Sequence, residues 1–394
     1  MSDLRVAYPG ARHVTRVHIA PGALDRLGAF VRRESGARIA ALVADERVAA
    51  LYSDRSLRSL RKAGVSATLI VIGHGERSKR PATIERLWNA FDAVALARRD
   101  VVIALGGGVV GDVAGFAAAT WLRGVPWIGV PSTVLAQVDS ALGGKTGIDL
   151  PSGKNLVGAF HQPLALLVDP RLLQTLNARE RRAGLAEVAK MGMACDARLF
   201  AFVERHAEAL AAGDPAALSA AVTRALAVKA RVVSRDERER EGGGRTALNF
   251  GHTLGHALEA ARGYRGVLHG EAVAVGMRVA AALSERAAGL DARARTRLES
   301  VLDRLALPRS LRGARLSDLV RAMRADKKRL AAGAGGGARA REKSRGEAAR
   351  ADALDDVARE VRWVLTPRVG HASVPRLVSG RLLRAVLIEA GARP

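Results

Sequence analysis

Three histidines lie within 18 residues of the sequence, in the segment NFGHTLGHALEAARGYRGVLHGEAVAVGM. His252 and His256 are four residues apart and share one face of a predicted helix, and His269 follows a glycine-rich turn. Upstream, the apolar helical pattern GLAEVAKMGMAC is interrupted by Glu187 and Lys190. Burying these charges without partners would be costly, so we expect Glu187 and two of the histidines to bind a catalytic divalent metal. Spacing alone does not decide which histidine of HTLGH is a ligand.

A strand, a glycine turn and a helix are predicted over VVIALGGGVVGDVAGFAAA. Gly106, Gly108 and Gly111 match the pattern G-x-G-x-x-G, which brings backbone amides close to a pyrophosphate. A standard dinucleotide site also has an acidic residue on the next strand, but that strand, WIGVPST, has none. Either the turn does not bind a dinucleotide in the usual way, or the ribose acid lies upstream, where Asp45 and Glu76 are candidates.

Two types of secondary-structure pattern, one α/β and one helical, surround these residues in the sequence. Short β-branched apolar runs at 38–45, 66–73, 100–108, 127–133 and 163–168 alternate with helical patterns, which predicts βαβ units. We therefore expect an α/β fold with an N-terminal, Rossmann-like, mostly parallel sheet domain at 1–175 that contains the candidate dinucleotide turn. From about residue 177 the pattern is helical, which predicts an all-helical metal- and substrate-binding domain at 176–394.

The C-terminal part of the chain contains one unusual segment. Residues 330–353 are rich in Gly, Ala and Arg and lack an apolar face, so we predict a flexible insertion there. The alternating run VRWVLTPRVGHASV at 361–374 is typical of a strand, and a helix is predicted at 376–391.

Composition limits the possible partners. The formal net charge is +24, but the arginines are spread along the chain and aromatic residues make up only 4%, so we expect no specific nucleic-acid partner. A small anionic substrate suits the charge. No apolar run reaches membrane-spanning length, the segment MSDLRVAYPG does not resemble a secretion signal, and Cys195 is the single cysteine. These features predict a cytoplasmic protein without disulfides.

Together these motifs resemble those of the 3-dehydroquinate synthases, the shikimate-pathway members of the sugar-phosphate cyclases. The resemblance runs from about residue 45 to 328 and again, weakly, over 361–390. It rests on GERSK at 75–79, GGGVVGDVAGFAAATWLRG at 106–124, PSTVLAQVDSALGGKTGIDLPSGKN at 131–155, LAEVAK at 185–190, RTALNFGHTLGHALE at 245–259, LHGEAVAVGM at 268–277 and DKK at 326–328.

The resemblance implies a role for each matching residue. The metal, Zn²⁺ or Co²⁺, would be bound by Glu187, His252 and His269, and His256 would contact the substrate. NAD contacts would be Asp45, Glu76, Lys79, Gly107, Gly108, Val109, Asp112, Ser132, Thr133, Asp139, Lys145, Lys154, Thr175 and Leu176. The catalytic set would be Lys145, Lys190, Lys229, Arg245, Asn249 and His256, with Arg123, Asp139, Asn155 and Lys327 also at the substrate. Because the arginine matching Arg123 reaches a neighbouring subunit in the family, a homodimer is implied.

The implied substrate is 3-deoxy-D-arabino-heptulosonate 7-phosphate. The metal would polarise its C4 and C5 hydroxyls, and NAD would take hydride from C5 so that the C6 proton becomes acidic. Phosphate would then leave, hydride would return, the ring would open, and an aldol step would close the carbocycle. The NAD would be regenerated in each cycle.

Three features depart from the family pattern. Ser132 stands where many relatives have threonine, which keeps the hydroxyl. Two extra residues precede Arg245, so the family glutamate is either Glu239 or Glu241. The insertion at 330–353 directly follows Lys328, which makes the position of Lys327 uncertain from sequence.

Other functions are opposed by particular residues. A cyclase for a different sugar phosphate is opposed by HTLGH and by the pair Arg245 and Asn249. A polyol dehydrogenase that releases NADH would have no use for Lys145, Lys190 and Lys229. Binding of nucleic acid through net charge alone would be non-specific and steeply salt-dependent.

Overall fold

The computed structural model describes residues 1–8, 14–239, 244–311, 313–332, 349–373 and 375–394. Its strands are β1 (Ser2–Ala7), β2 (Val14–Ile19), β3 (Ile39–Asp45), β4 (Ser66–Ile72), β5 (Val101–Gly106), β6 (Trp127–Pro131), β7 (Lys145–Leu150), β8 (Gly153–Phe160) and β9 (Ala165–Val168). Its helices are α1 (Leu27–Ser35), α2 (Glu46–Lys62), α3 (Pro81–Ala93), α4 (Gly108–Thr120), α5 (Ala178–Cys195), α6 (Ala197–Ala212), α7 (Pro215–Val233), α8 (His252–Ala261), α9 (His269–Ala288), α10 (Ala292–Arg304), α11 (Leu316–Ala332), α12 (Ala349–Glu360) and α13 (Gly380–Glu389).

Seven strands form one sheet in the order β1-β2-β9-β6-β5-β3-β4. Strands β2, β9, β6, β5, β3 and β4 pair in parallel, and β1 pairs antiparallel with β2. The predicted mostly parallel sheet and its five predicted strands are thereby confirmed. The apolar pattern did not predict the edge strands β1 and β2, nor the separate β7–β8 hairpin, whose strands pair antiparallel.

The central strands β3, β5, β6 and β9 consist almost entirely of buried apolar residues, so the middle of the sheet is covered on both faces. In β3, Ala40, Leu42 and Ala44 pack with α1 and α2, whereas Ala41 and Val43 pack with α3 and α4. This alternation follows from the two-residue period of a strand, and continuous apolar runs are typical of parallel sheets covered by helices. The chain leaves β3 for β4 on one side and returns to β5 on the other. The strand order therefore reverses between β3 and β5, and this is where α/β sheets bind ligands.

The described residues form two compact units. The first comprises 1–184 and 213–238, and the second comprises 185–212 and 239–394. Helix α7 belongs to the first unit because it packs against β1 and against the turns at 136–140 and 170–175. The domain limit predicted after residue 175 assigns α7 to the second domain, whereas α7 packs in the first unit. The division into two independently folding domains stays a prediction.

The second unit is built from helices, as predicted. Its apolar core joins residues of α8, α9, α11, α12 and α13 with Trp363 and Leu365. The strand interpretation of 361–374 was wrong, because only isolated bridges, such as Trp363 with Arg376, occur among the described residues there. The alternation reflects the burial of Trp363 and Leu365 against helices instead of pairing in a sheet.

The predicted insertion at 330–353 lies largely outside the described residues, which stop at 332 and resume at 349. Its two described ends are the last residues of α11 and the first of α12. The predicted C-terminal helix is confirmed as α13, Gly380–Glu389. Among the helices described, none has the length and apolar character needed to cross a membrane.

Candidate active site

Helix α5 carries a buried charged pair. Leu185, Ala186, Val188 and Ala189 are fully buried, and Glu187 shares that environment with an exposed fraction of 0%. Lys190, one turn later, is 1% exposed and forms an ion pair with the Glu187 carboxylate. The two buried charges of this helix are therefore paired with each other.

Two histidines begin the neighbouring helices. His252 is the first residue of α8, directly after Gly251, whose φ of 81° requires a glycine-like conformation. His269 is the first residue of α9. The two helices approach closely because a side chain is absent at their contact, where a Cβ on Gly276 would lie 1.9 Å from the Gly251 carbonyl oxygen. This close packing holds the two imidazoles beside each other, with ring centroids 5.2 Å apart.

The Glu187 carboxylate faces both imidazoles. Its Oε1 lies 3.8 Å from His252 Nε2 and 3.6 Å from His269 Nε2. One potential ligand atom from each of the three residues lies within 4.8 Å of the others. Neither oxygen of Glu187 accepts a hydrogen bond of normal geometry from any described residue, despite full burial. A carboxylate and two imidazoles with unmet coordination capacity fit a divalent metal with an open position for substrate.

The pKa values of the two imidazoles are shifted in opposite directions. Burial, together with the positive charge of Lys190, lowers the pKa of His252 well below its ordinary value. Burial also lowers the pKa of His269, but its hydrogen bond to Glu259 and the negative charge of Glu187 outweigh this, and the pKa is raised. His269 Nδ1 lies 3.1 Å from Glu259 Oε2, which leaves Nε2 toward Glu187.

His256 occupies a different position from His252. It is exposed, and its ring centroid lies 5.2 Å from that of His252 and 5.9 Å from that of His269. Together with Glu259 and His269 it forms a second group of potential ligands. The group around Glu187 is the more buried of the two. The structure therefore brings together the residues predicted for the metal and leaves His256 beside them.

The residues predicted to contact NAD lie in the first unit, and several of them follow the carboxyl ends of parallel strands. Asp45 ends β3, Gly107 and Gly108 follow β5, and Ser132 and Thr133 follow β6. The group also includes Glu76, Lys79, Val109, Asp112, Asp139, Lys145, Lys154, Thr175 and Leu176. The carboxyl edge at a reversal of strand order is where dinucleotides bind in such sheets.

The glycine turn has the predicted strand–turn–helix context. Gly107 is the N-cap of α4, and no described side chain caps this helix end. A Cβ on Gly107 would lie 3.2 Å from Thr133, and one on Gly108 would lie 3.0 Å from Ser140. An uncapped helix N-terminus with a close, side-chain-free backbone fits a pyrophosphate.

A network of charged and polar groups surrounds Lys79. Its Nζ donates to Asp112 Oδ2 at 2.7 Å and to Asn155 Oδ1 at 2.5 Å. Asn155 has a φ of 53°, and its backbone N–H donates to Asp149 Oδ1 at 2.7 Å. Burial raises the pKa of Asp112 to about 6, against the lowering effect of Lys79. Lys79, Asp112 and Asn155 were all predicted as site residues, and the structure joins them.

The carboxylates of both candidate ribose acids already have partners within the protein. Asp45 Oδ1 accepts from the N–H groups of Arg47 and Val48 and so caps α2. Glu76 forms an ion pair with Lys154 at 3.0 Å. Their roles toward a ribose stay predictions.

Other predicted residues have the following partners. Lys229 Nζ donates to Asp139 Oδ1 at 2.5 Å, and Tyr52 and Thr175 share a hydrogen bond of 2.7 Å between their hydroxyls. Asn249 Nδ2 donates to Glu239 Oε1 at 2.5 Å. Lys145 is the first residue of β7, and Leu176 follows the turn that ends at Thr175. Arg245 is buried in the turn Gly244–Asn249, and Arg123 is exposed after α4. The side chain of Lys327 and all of Glu241 lie outside the described residues.

Sequence reasoning did not assign two residues that the structure places beside predicted ones. Glu259 contacts His269, and its spacing of three residues from His256 in HTLGHALE would have put it near the histidine cluster. Asp149 contacts the backbone of Asn155 across a strand connection, and no spacing rule would have identified that contact.

Two family models match consecutive parts of this chain. The family described as 3-dehydroquinate synthase N-terminal matches residues 69–183, and 3-dehydroquinate synthase C-terminal matches 184–329. The 3-dehydroquinate synthase of Symbiobacterium thermophilum is 48% identical over 316 residues, which cover 79% of this chain and 87% of the relative. That of Citrifermentans bemidjiense is 45% identical over 295 residues, covering 75% and 81%.

Solved structures share the fold over nearly the whole chain. A 2-epi-5-epi-valiolone synthase from Streptomyces hygroscopicus subsp. jinggangensis 5008, with NAD⁺ and Zn²⁺ bound, has a TM-score of 0.78 and 28% identity, covering 99% of this chain and 98% of the other. A 2-deoxy-scyllo-inosose synthase in complex with carbaglucose-6-phosphate, NAD⁺ and Co²⁺ has a TM-score of 0.82 at 24% identity, covering 99% and 100%.

Proposed function

The chain belongs to the 3-dehydroquinate synthase family, and we propose how its own residues perform that family's reaction. It converts 3-deoxy-D-arabino-heptulosonate 7-phosphate to 3-dehydroquinate and phosphate, as an NAD- and metal-dependent cyclase of aromatic amino-acid biosynthesis. The observation that carries the assignment within this chain is the buried Glu187 carboxylate facing His252 and His269.

The metal ligands in this proposal are Glu187, His252 and His269. Three protein ligands leave a coordination position for substrate oxygen, as catalytic sites require. When bound, the metal would polarise substrate hydroxyls and NAD would supply a reversible oxidation. Zn²⁺ and Co²⁺ are both compatible with a carboxylate and two imidazoles.

Lys190 and His256 have substrate roles in this proposal. The ammonium of Lys190 lies against Glu187, so its charge attracts an anionic substrate to the metal position. His256 is exposed beside the two ligating histidines, and there it hydrogen-bonds the substrate. Neither residue would be needed for an uncharged alcohol bound by the metal alone.

Asn249 and Arg245 are the remaining contacts proposed in the second unit. Asn249 is oriented by Glu239, since its Nδ2 donates to that carboxylate and its carbonyl oxygen is available to a substrate hydroxyl. This contact favours Glu239 as the glutamate of the family motif. Arg245 is 3% exposed, and its guanidinium suits a carboxylate or a phosphate.

In the first unit we assign NAD to the carboxyl edge of the sheet. The uncapped N-terminus of α4, with Gly107 and Gly108, takes the pyrophosphate. Asp45 and Glu76 are the candidates for the ribose hydroxyls. Lys79, Asp112 and Asn155 form one hydrogen-bonded group, so the substrate contact at Asn155 is positioned by residues assigned to the cofactor.

We also propose a cytoplasmic homodimer in which Arg123 serves the partner's site. Leu122, Arg123 and Gly124 have φ values of 49°, 65° and 120°, an unusual run that holds this turn in a defined shape. Arg123 is exposed, and Leu122 is a large apolar side chain exposed to 41% beside it. The exposed position of Arg123 leaves its guanidinium accessible to a partner subunit.

One assay tests the reaction. The metal-loaded protein is incubated with the heptulosonate phosphate and substoichiometric NAD, and phosphate and NADH are both measured. We expect many equivalents of phosphate per NAD with no net NADH. Stoichiometric NADH would favour a dehydrogenase, and absence of phosphate release would contradict the cyclase assignment.

A further inference from the structure

We propose that Glu259 is a positioning residue that orients His269 for metal binding. The inference rests on the proposed ligand set, and it concerns which nitrogen of His269 is presented to the metal. It adds a residue outside the ligand set to the machinery of the site.

The contact itself determines the tautomer. His269 Nδ1 lies 3.1 Å from Glu259 Oε2, and His269 Nε2 lies 3.6 Å from Glu187 Oε1. A neutral imidazole has one N–H, and a carboxylate only accepts. The proton is therefore held at Nδ1, and the lone pair of Nε2 points toward the proposed metal position. Carboxylate–histidine–metal arrangements of this kind fix ring rotation and raise the basicity of the ligand.

The location of Glu259 argues against a purely structural role. It lies in the last turn of α8 and is only 6% exposed. A buried carboxylate is costly, and a negative charge near a helix C-terminus is further disfavoured by the helix dipole. A glutamate there lowers stability unless partners compensate, and the imidazole of His269 is one of them.

The other histidine ligand is held differently. His252 Nδ1 faces the Phe250 carbonyl oxygen at 3.5 Å, which is at the limit of a hydrogen bond. One ligand therefore has a charged outer partner, and the other has a weak, neutral one. We expect metal affinity to depend more on the partner of His269 than on that of His252.

The test is Co²⁺ binding to the full chain after the metal has been removed with a chelator. Affinity is measured by competition with a chromophoric chelator, and coordination is followed through the visible absorption of bound Co²⁺. Glu259→Ala should weaken binding by about 10- to 100-fold and change the visible spectrum. Glu259→Gln keeps an acceptor for Nδ1–H, so it should restore much of the affinity and a spectrum close to that of the unchanged protein.

Two controls make the outcome specific. Glu285→Gln removes a carboxylate from α9 that pairs with Arg295, and it should leave Co²⁺ binding unchanged. His269→Ala should abolish tight binding. If His269→Ala still binds tightly, the ligand set of the proposed function is wrong. If His269→Ala loses the metal but Glu259→Ala binds Co²⁺ with unchanged affinity and spectrum, only the positioning role is wrong.

A third outcome would replace this inference by another. Glu259, His256 and His269 also lie close enough to act as ligands themselves. If the unchanged protein bound two Co²⁺ ions per chain and Glu259→Ala bound one, Glu259 would be a ligand of a second ion, and its positioning role would be overturned.

Discussion

Lys229 Nζ lies 2.5 Å from Asp139 Oδ1, although 90 residues separate the two in the chain. Lys229 is on α7, and Asp139 is in the turn Ala136–Ser140 that follows β6. The contact exists because α7 packs against that turn within the first unit. Two residues predicted for substrate and cofactor contacts are thereby held as one ion pair.

Replacing Lys229 by Met should leave Asp139 without this cation in a largely buried position. We expect a loss of about 1 to 3 kcal/mol in the free energy of unfolding, together with a large fall in kcat/KM. Urea unfolding and steady-state phosphate release measure the two effects. Ala227→Gln, at an exposed position of the same helix, is the matched control and should change neither. Full activity of the Lys229 variant would contradict the assignment.

Glu187→Gln should lose metal and activity together while remaining folded. Glutamine keeps the shape of the side chain but removes the charge that faces two imidazoles. The loss of metal affinity should exceed the roughly 10- to 100-fold that removal of an outer-shell partner costs. Metal content after gel filtration, with circular dichroism as the folding control, checks this. A folded variant that retains stoichiometric metal would show that Glu187 is not a ligand.

Asp112 should make the free energy of unfolding fall as the pH rises, which is the opposite of the usual effect of an ion-paired carboxylate. Its pKa is raised from 3.8 to about 6 on folding, because burial disfavours the carboxylate. The folded state therefore binds this proton more tightly than the unfolded state does. The resulting contribution of Asp112 to the free energy of unfolding is fully present below pH 3.8 and is lost as the pH rises through about 6.

The corresponding measurement compares melting temperatures of the unchanged protein and Asp112→Asn between pH 4 and 7, without NAD. The unchanged protein should lose stability relative to the variant as the pH rises. Asp54→Asn, an exposed position on α2, should run parallel to the unchanged protein. A constant difference between the unchanged protein and Asp112→Asn across this range would rule out the raised pKa.

Gly276→Ala should disturb the contact between α8 and α9 and, through it, the metal site. The added Cβ would lie 1.9 Å from the Gly251 carbonyl oxygen, so the helices must separate. Overpacking of this kind costs about 1 to 3 kcal/mol, and metal affinity should fall with it. In Gly244→Ala the added Cβ meets no atom of the described residues within 4 Å, so the melting temperature should be unchanged. Equal melting of both variants would show that this contact does not constrain the site.

Arg123→Ala and Glu187→Gln should complement each other if Arg123 serves a partner subunit. Each variant alone should be inactive. Co-expression gives mixed dimers with one intact site, so about a quarter of the sites should be active. Light scattering on the unchanged protein checks the dimer itself. Absence of any recovered activity in confirmed mixed dimers would place Arg123 in its own subunit's site or outside the site.

The sequence by itself determined the features that depend on local residue patterns, namely the strands, the glycine turn and the buried charges. Short continuous apolar runs between helical patterns placed β3 to β6 and β9, and glycine spacing located the turn after β5. The buried charges on α5 and the nearby histidines indicated a metal, because their cost needs compensation wherever the helix packs.

Only the tertiary structure decided which distant side chains meet. Spacing left His252 and His256 equivalent, and the packing of α8 on α9 turned His252 toward Glu187 and left His256 exposed. The same packing brought Glu259 to His269, and the return of α7 to the first unit brought Lys229 to Asp139. Such contacts depend on helix orientation and close backbone approach, which no local period encodes.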